Sequence, residues 1–189
     1  MIRFLKISCC CLLLVALWSC SLGERQITQK PSSYYNIDSL LTASVEACLQ
    51  EAATVTVDKQ VTIDGEVEEK TLTMDSAALA EEVEFFRMLD INQPNLTFSY
   101  DATVSDDVIS YNLKAREEQE GITYLNIRTK NDQVIVDGEF VEKNSLYYTN
   151  RKMRIGITAG CLKYYQVAGK QKMTFKDTVN YTLKGAILD

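Results

Sequence analysis

The chain predicts an α+β fold: two amphipathic helices packed on a long, curved antiparallel β-meander, open and half-barrel-like. Three observations predict it. Two segments carry apolar residues at helical spacing. Asp64-Gly65 separates two alternating runs, a strong hairpin signal because its turn needs positive φ. From Leu96 onward, alternation recurs with short connections, which favours neighbouring antiparallel strands.

The first helix carries Ile37, Leu40, Leu41, Val45, Cys48, Leu49 and Ala52 along one face. Asn36 or Asp38 can cap it by accepting a free backbone N–H. Val55, Val57, Val61 and Ile63 then alternate as a half-buried strand. Its hairpin partner runs through Val67, Leu72 and Met74, with Glu68-Glu69-Lys70 leaving the register open. A second helix starts at Asp75-Ser76 and buries Leu79, Val83, Phe86 and Leu89. Asn92-Gln93-Pro94 stops it.

The meander opens with Leu96, Phe98, Tyr100, Ala102 and Val104. It turns at Asp106-Asp107 and returns through Ile109, Tyr111, Leu113 and Ala115. A charged loop covers residues 116–121, and further strands centre on 123–129, 134–142, 153–159, 162–168 and 173–183.

Before the domain stands a leader. Arg3 and Lys6 precede an apolar stretch over residues 7–17, of signal-peptide length and too short to span a bilayer as a helix. It ends in Leu17-Trp18-Ser19-Cys20, which resembles the lipobox of bacterial lipoproteins. That resemblance implies cleavage before Cys20, acylation of its thiol and new amino terminus, and a lipid-anchored place in the cell envelope, at the outer membrane. Two or three acyl chains make such attachment effectively permanent. Residues 1–19 are then signal peptide, 20–33 a polar tether and 34–189 a single domain. A curved meander under helices also resembles the fold of periplasmic lipoprotein carriers, although here a hairpin separates the two helices.

Composition narrows the chemistry. The chain has no histidine, which excludes imidazole-dependent triads and most zinc and copper sites. Neither a nucleophile elbow, a Ser-x-x-Lys sequence nor a glycine-rich phosphate loop occurs. Carboxylate pairs at Glu68-Glu69, Glu81-Glu82, Asp106-Asp107 and Glu117-Glu118 fall on turns, a helix surface and a loop, without calcium-loop spacing. The expectation is a non-enzymatic protein without metal or cofactor and with no nucleic-acid partner. Once Cys9, Cys10 and Cys11 leave with the leader and Cys20 is lipidated, Cys48 and Cys161 remain. An exported pair can form a disulfide. Two buried thiols are the preferred expectation, because Cys48 lies on an apolar helix face.

Charge is divided along the chain. Residues 20–142 hold nine basic and twenty-four acidic residues, a net of −15; residues 143–189 hold nine basic and two acidic, a net of +7. Alternation puts Lys152 and Arg154 on one strand face, opposite Met153 and Ile155. Arg151, Lys152, Arg154, Lys170, Lys172 and Lys176 are therefore the candidate anion-binding residues, with Tyr147 or Tyr148 adding contact to a partner. Strand lysines also keep a sheet face soluble or discourage edge pairing, and acidic strands can lie beside them. The expected function is envelope binding or scaffolding through this basic surface, with an anionic lipid, glycan or protein as partner. The alternative is a carrier holding an apolar or acyl ligand in a cavity bordered by Leu79, Val83 and Phe86. Asp-Ser or Asp-Thr steps at Ser39, Ser76 and Thr178 resemble the O-glycosylation acceptor motif of exported Bacteroidota proteins, though helix capping also favours two of them.

Overall fold

A computed structural model describes residues 34–50, 52–93, 96, 99–114 and 120–188. The leader, Cys20, the tether and most of the charged loop expected at 116–121 lie outside the described residues. Helix α1 (Ile37–Cys48) is capped by Asn36, whose side chain accepts the Ser39 N–H at 2.8 Å. It buries Ile37, Leu41 and Val45. Helix α2 (Ser76–Glu84) is capped by Asp75, which accepts the Ala78 N–H at 2.9 Å. The second helix was expected to continue to Leu89. It instead tightens into a 3₁₀ segment, η1 (Phe85–Leu89). Three residues per turn stack i on i+3, so Phe86 and Leu89 both enter the core.

Nine strands form one antiparallel sheet, in the order β2-β1-β9-β8-β7-β6-β5-β4-β3. They are β1 (Val55–Ile63), β2 (Glu66–Met74), β3 (Tyr100–Ser105), β4 (Val108–Leu113), β5 (Gly121–Lys130), β6 (Gln133–Lys143), β7 (Tyr147–Thr158), β8 (Cys161–Met173) and β9 (Thr178–Leu188). Asp64 and Gly65 have φ of 48° and 93°, giving the two-residue turn that the sequence calls for and pairing Ile63 with Glu66. From β2 at one edge the chain passes through α2 to β3 at the other. The meander then walks back until β9 docks on β1. No helix among the described residues is long and apolar enough to cross a membrane.

Three expectations are corrected. β3 begins at Tyr100 rather than Leu96, because the Leu96 and Ser99 N–H groups donate to the Gln93 and Leu96 carbonyls in turns. Residues 173–183 are not one strand: the chain reverses at 174–177, where Phe175 has φ of 66° and Lys176 N–H donates to Met173 O at 3.1 Å. Cys48 and Cys161 are not two buried thiols but a disulfide, with Cα atoms 4.6 Å apart. α1 lies across β8 and its last residue meets the first residue of that strand, a proximity no local pattern encodes.

The helices and the core share one face of the sheet. Tyr111, Leu125, Met153 and Val167 lie in one cross-strand row on that face, and Ile127, Val136, Ile155 and Tyr165 in the next. All eight are buried. Both helices pack there, so the opposite face carries no covering layer among the described residues.

Candidate functional site

The uncovered face holds most of the basic strand residues of the C-terminal third. Strand register fixes three of its rows: Val141, Asn150, Lys170 and Asn180; Glu139, Lys152, Ala168 and Thr182; Asp137, Arg154, Gln166 and Lys184. Lys172 lies beside Tyr148 and Thr178 on the same face. The structure therefore brings Lys152, Arg154, Lys170, Lys172 and Tyr148 together, as alternation requires. The Lys170 ammonium stands 5.6 Å from the centre of the Tyr148 ring.

The other candidates lie elsewhere. Arg151 is on the helix-bearing face, where its guanidinium covers the Phe85 ring at 5.2 Å and donates to the Tyr181 hydroxyl at 3.1 Å. It clamps the sheet to η1. Tyr147 shares that parity and donates its hydroxyl to Glu142, which raises its pKa through that hydrogen bond first and desolvation second. Lys176 belongs to the β8–β9 turn. Leu79, Val83 and Phe86 are fully buried core residues, with Phe86 edge-on to both Phe85 and Tyr165. They fill the space in which an apolar ligand was envisaged.

Arg154 sits on the uncovered face but is committed. Asp137, largely buried, accepts from both Arg154 and Arg128 and holds the Arg154 pKa above its ordinary value. Glu139, one rank away, accepts from the Thr123 hydroxyl at 2.7 Å and the Asn150 amide at 3.1 Å. The Tyr124 pKa is raised, by burial first and by these two carboxylates second. Among the described residues, no carboxylate lies within 4.0 Å of the ammonium of Lys152, Lys170, Lys172 or Lys184. With Lys143, beside Tyr148, and Lys130, on the same parity as Arg128, these four are the cations on this face without ion-pair partners among the described residues.

A depression of about 430 Å³ opens between Lys152 and Lys170, over Ala168, with Asn150, Asn180 and Glu139 around it. A neighbouring cleft of about 470 Å³ runs above β8, β9, β1 and β2, with Lys184, Gln166, Gln60, Tyr164, Asp58 and Glu69 along its walls. Two of its acids are engaged: Glu69 accepts from Gln60 at 2.7 Å and Asp58 from Thr71 at 2.6 Å. Ammonium groups beside side-chain amides suit an anion that also offers hydrogen-bonding groups. Asn150, Asn180 and the Asp137 clamp carry no signal in the sequence. Lys184, at an even position like Lys170 and Lys172, falls on their face by the same alternation, though it is not among the candidate anion-binding residues.

No group of three or more His, Cys, Asp or Glu among the described residues could hold a metal ion. Comparison with protein-family models, curated proteins and solved structures finds no match.

Proposed function

We propose that the protein is an envelope lipoprotein, anchored through Cys20, that binds an anionic partner on the uncovered face of its sheet. The observation carrying this reading is the unpaired set Lys152, Lys170, Lys172 and Lys184 on one uncovered face. A purely solubilising face would be served by paired or mixed charges, as at Asp137. Here acids are spent on Arg128 and Arg154, and these ammonium groups remain on offer. The amides of Asn150 and Asn180 and the Tyr148 ring add groups that recognise shape as well as charge. A polymeric or glycan anion fits two adjoining shallow depressions better than a small metabolite does, because small-molecule sites are generally enclosed and largely apolar.

The curved half-barrel carrier is not preferred, since Leu79, Val83 and Phe86 are buried in a packed core. The test is titration with an acidic polysaccharide and with lipopolysaccharide across a salt series, comparing the parent with Lys152→Ala/Lys170→Ala/Lys172→Ala. Weaker binding with a flatter salt response supports the reading. Unchanged affinity and salt slope would remove this surface from consideration.

A further inference from the structure

Both ends of the sheet are built of turns, and the two ends differ chemically. At one end the turns read Asp106-Asp107, Asn131-Asp132 and Ala159-Gly160, as solvated turns should. At the other end lie the 64–65 turn, the 144–146 turn, the 174–177 turn and the connection from Leu113 to Gly121. This end carries exposed apolar side chains: Ile63, Val67, Leu146, Met173, Phe175 and Val179. Eight large hydrophobic residues are exposed among the described residues, and these are six of them. Phe175 is wholly exposed, at 103%, and Leu146 is 68% exposed.

These side chains are held out by a rigid support. Thr174 N–H donates to Leu146 O at 2.8 Å, and the Thr174 hydroxyl bonds the Ser145 and Leu146 carbonyls at 3.0 Å. Asn144 accepts the Leu146 and Tyr147 N–H groups at 2.8 and 2.9 Å. The two turns are therefore tied together, and Phe175 takes a left-handed backbone, a position where a bulky residue is unfavourable. Lys143, Lys172 and Lys176 flank the 144–146 and 174–177 tips, where Asp177 is the one acid; Asp64, Glu66, Glu120 and Glu142 stand at the same end of the sheet, outside these two turns. Apolar tips flanked by lysines are the chemistry of a headgroup boundary.

The position of the chain's entry points the same way. Tyr34, the first described residue of the domain, packs edge-on to Tyr100 and Tyr111. Tyr100 ends its strand on the side of the sheet that carries the 144–146 and 174–177 turns. The 33 residues that precede it, Cys20 among them, thus join the domain at the apolar, lysine-flanked end and not at the aspartate-rich one.

We infer that this end is a lipid-docking tip: Phe175 and Leu146 enter an anionic bilayer surface while Lys143, Lys172 and Lys176 meet its phosphates. The sheet would then stand upright on the membrane, with its uncovered face turned sideways to other envelope components. This goes beyond binding by that face and does not depend on it.

The chain's only tryptophan is Trp18, so Phe175→Trp and Val104→Trp place site-specific reporters at opposite ends of the sheet. Val104 is also exposed, at 69%, so neither substitution disturbs the core. Full-length variants are mixed with phosphatidylglycerol vesicles carrying acyl-chain bromine, and emission is read as the difference from the parent chain. The expected result is quenching and a blue shift at 175 and neither at 104. Removing a flanking lysine should shift the ratio of inserted to withdrawn tip about fivefold. No quenching at 175, stronger quenching at 104, or equal quenching at both would overturn the inference, as would a Phe175 signal that responds to chain concentration but not to vesicles.

Discussion

The ring of Tyr165 lies over Gly185, its directly opposed cross-strand partner, so closely that a Cβ on Gly185 would fall 2.0 Å from the ring. The same relationship recurs between Tyr164 and Gly156 and between Tyr181 and Gly169. Glycine gives up side-chain packing in a strand, and a neighbouring aromatic ring restores it. In Tyr165 the ring also reaches the helices: its hydroxyl donates to Glu82 at 2.7 Å, and Glu82 pairs with Lys59 at 2.7 Å. Sheet, hairpin and α2 are joined through one tyrosine.

Gly185→Ala should therefore destabilise the protein by about 1–3 kcal/mol, the cost of overpacking a filled site. Gly65→Ala meets open space but has φ of 93°, and should cost about 1 kcal/mol from backbone strain alone. Urea midpoints compare the two. A Gly185→Ala midpoint at or above that of Gly65→Ala would mean the ring does not rest where described.

Stability should fall in alkali. Burial, and then the neighbouring Glu82 carboxylate, raise the Tyr165 pKa far above the ordinary tyrosine value near 10. Above that value the unfolded chain releases the proton and the folded chain keeps it, so unfolding is favoured as pH rises. The loss is at most about 1.4 kcal/mol per pH unit for each such group. Tyr165→Phe should flatten, but not abolish, the decline measured by denaturation between pH 9 and about 11, because Tyr35, Tyr111 and Tyr124 are also raised.

Reduction of the Cys48–Cys161 disulfide should lower stability by about 3–5 kcal/mol, given the 113-residue separation it closes. Cys48→Ser/Cys161→Ser should behave like the reduced parent. A denaturation midpoint insensitive to reductant would show that the bond is not formed in the folded protein.

Asp137→Asn should release two cations onto the uncovered face. Arg128 and Arg154 are half exposed, so losing their pairing costs only about 1 kcal/mol. Polyanion binding should tighten and become steeper in salt. Binding that weakens instead would mean the clamp shapes the site rather than shielding it.

Much of this protein was legible because its signals are local. Helical spacing located both helices, Asp75 was seen as a cap, and Asp64-Gly65 specified the hairpin that forms. Alternation separated Lys152 and Arg154 from Met153 and Ile155 correctly. The same rule places Arg151 with the core-facing residues, yet adjacency in sequence grouped it with its basic neighbours. Its partners, Phe85 and Tyr181, lie 66 residues before it and 30 after it. The Phe86–Leu89 segment was missed as 3₁₀ because an i, i+3 pair suits either helix type.

The sequence by itself determined the fold class, the hairpins and the face on which most of the late lysines stand, because each depends on neighbours a few residues apart. Only the tertiary structure decided the docking of β9 on β1, the disulfide, the Asp137 clamp and which lysines of the open face are left without a carboxylate. Those depend on which distant segments become neighbours, and periodicity carries no record of that. Both helices could have covered either face of the sheet. Their landing on the same one is what leaves the basic face open.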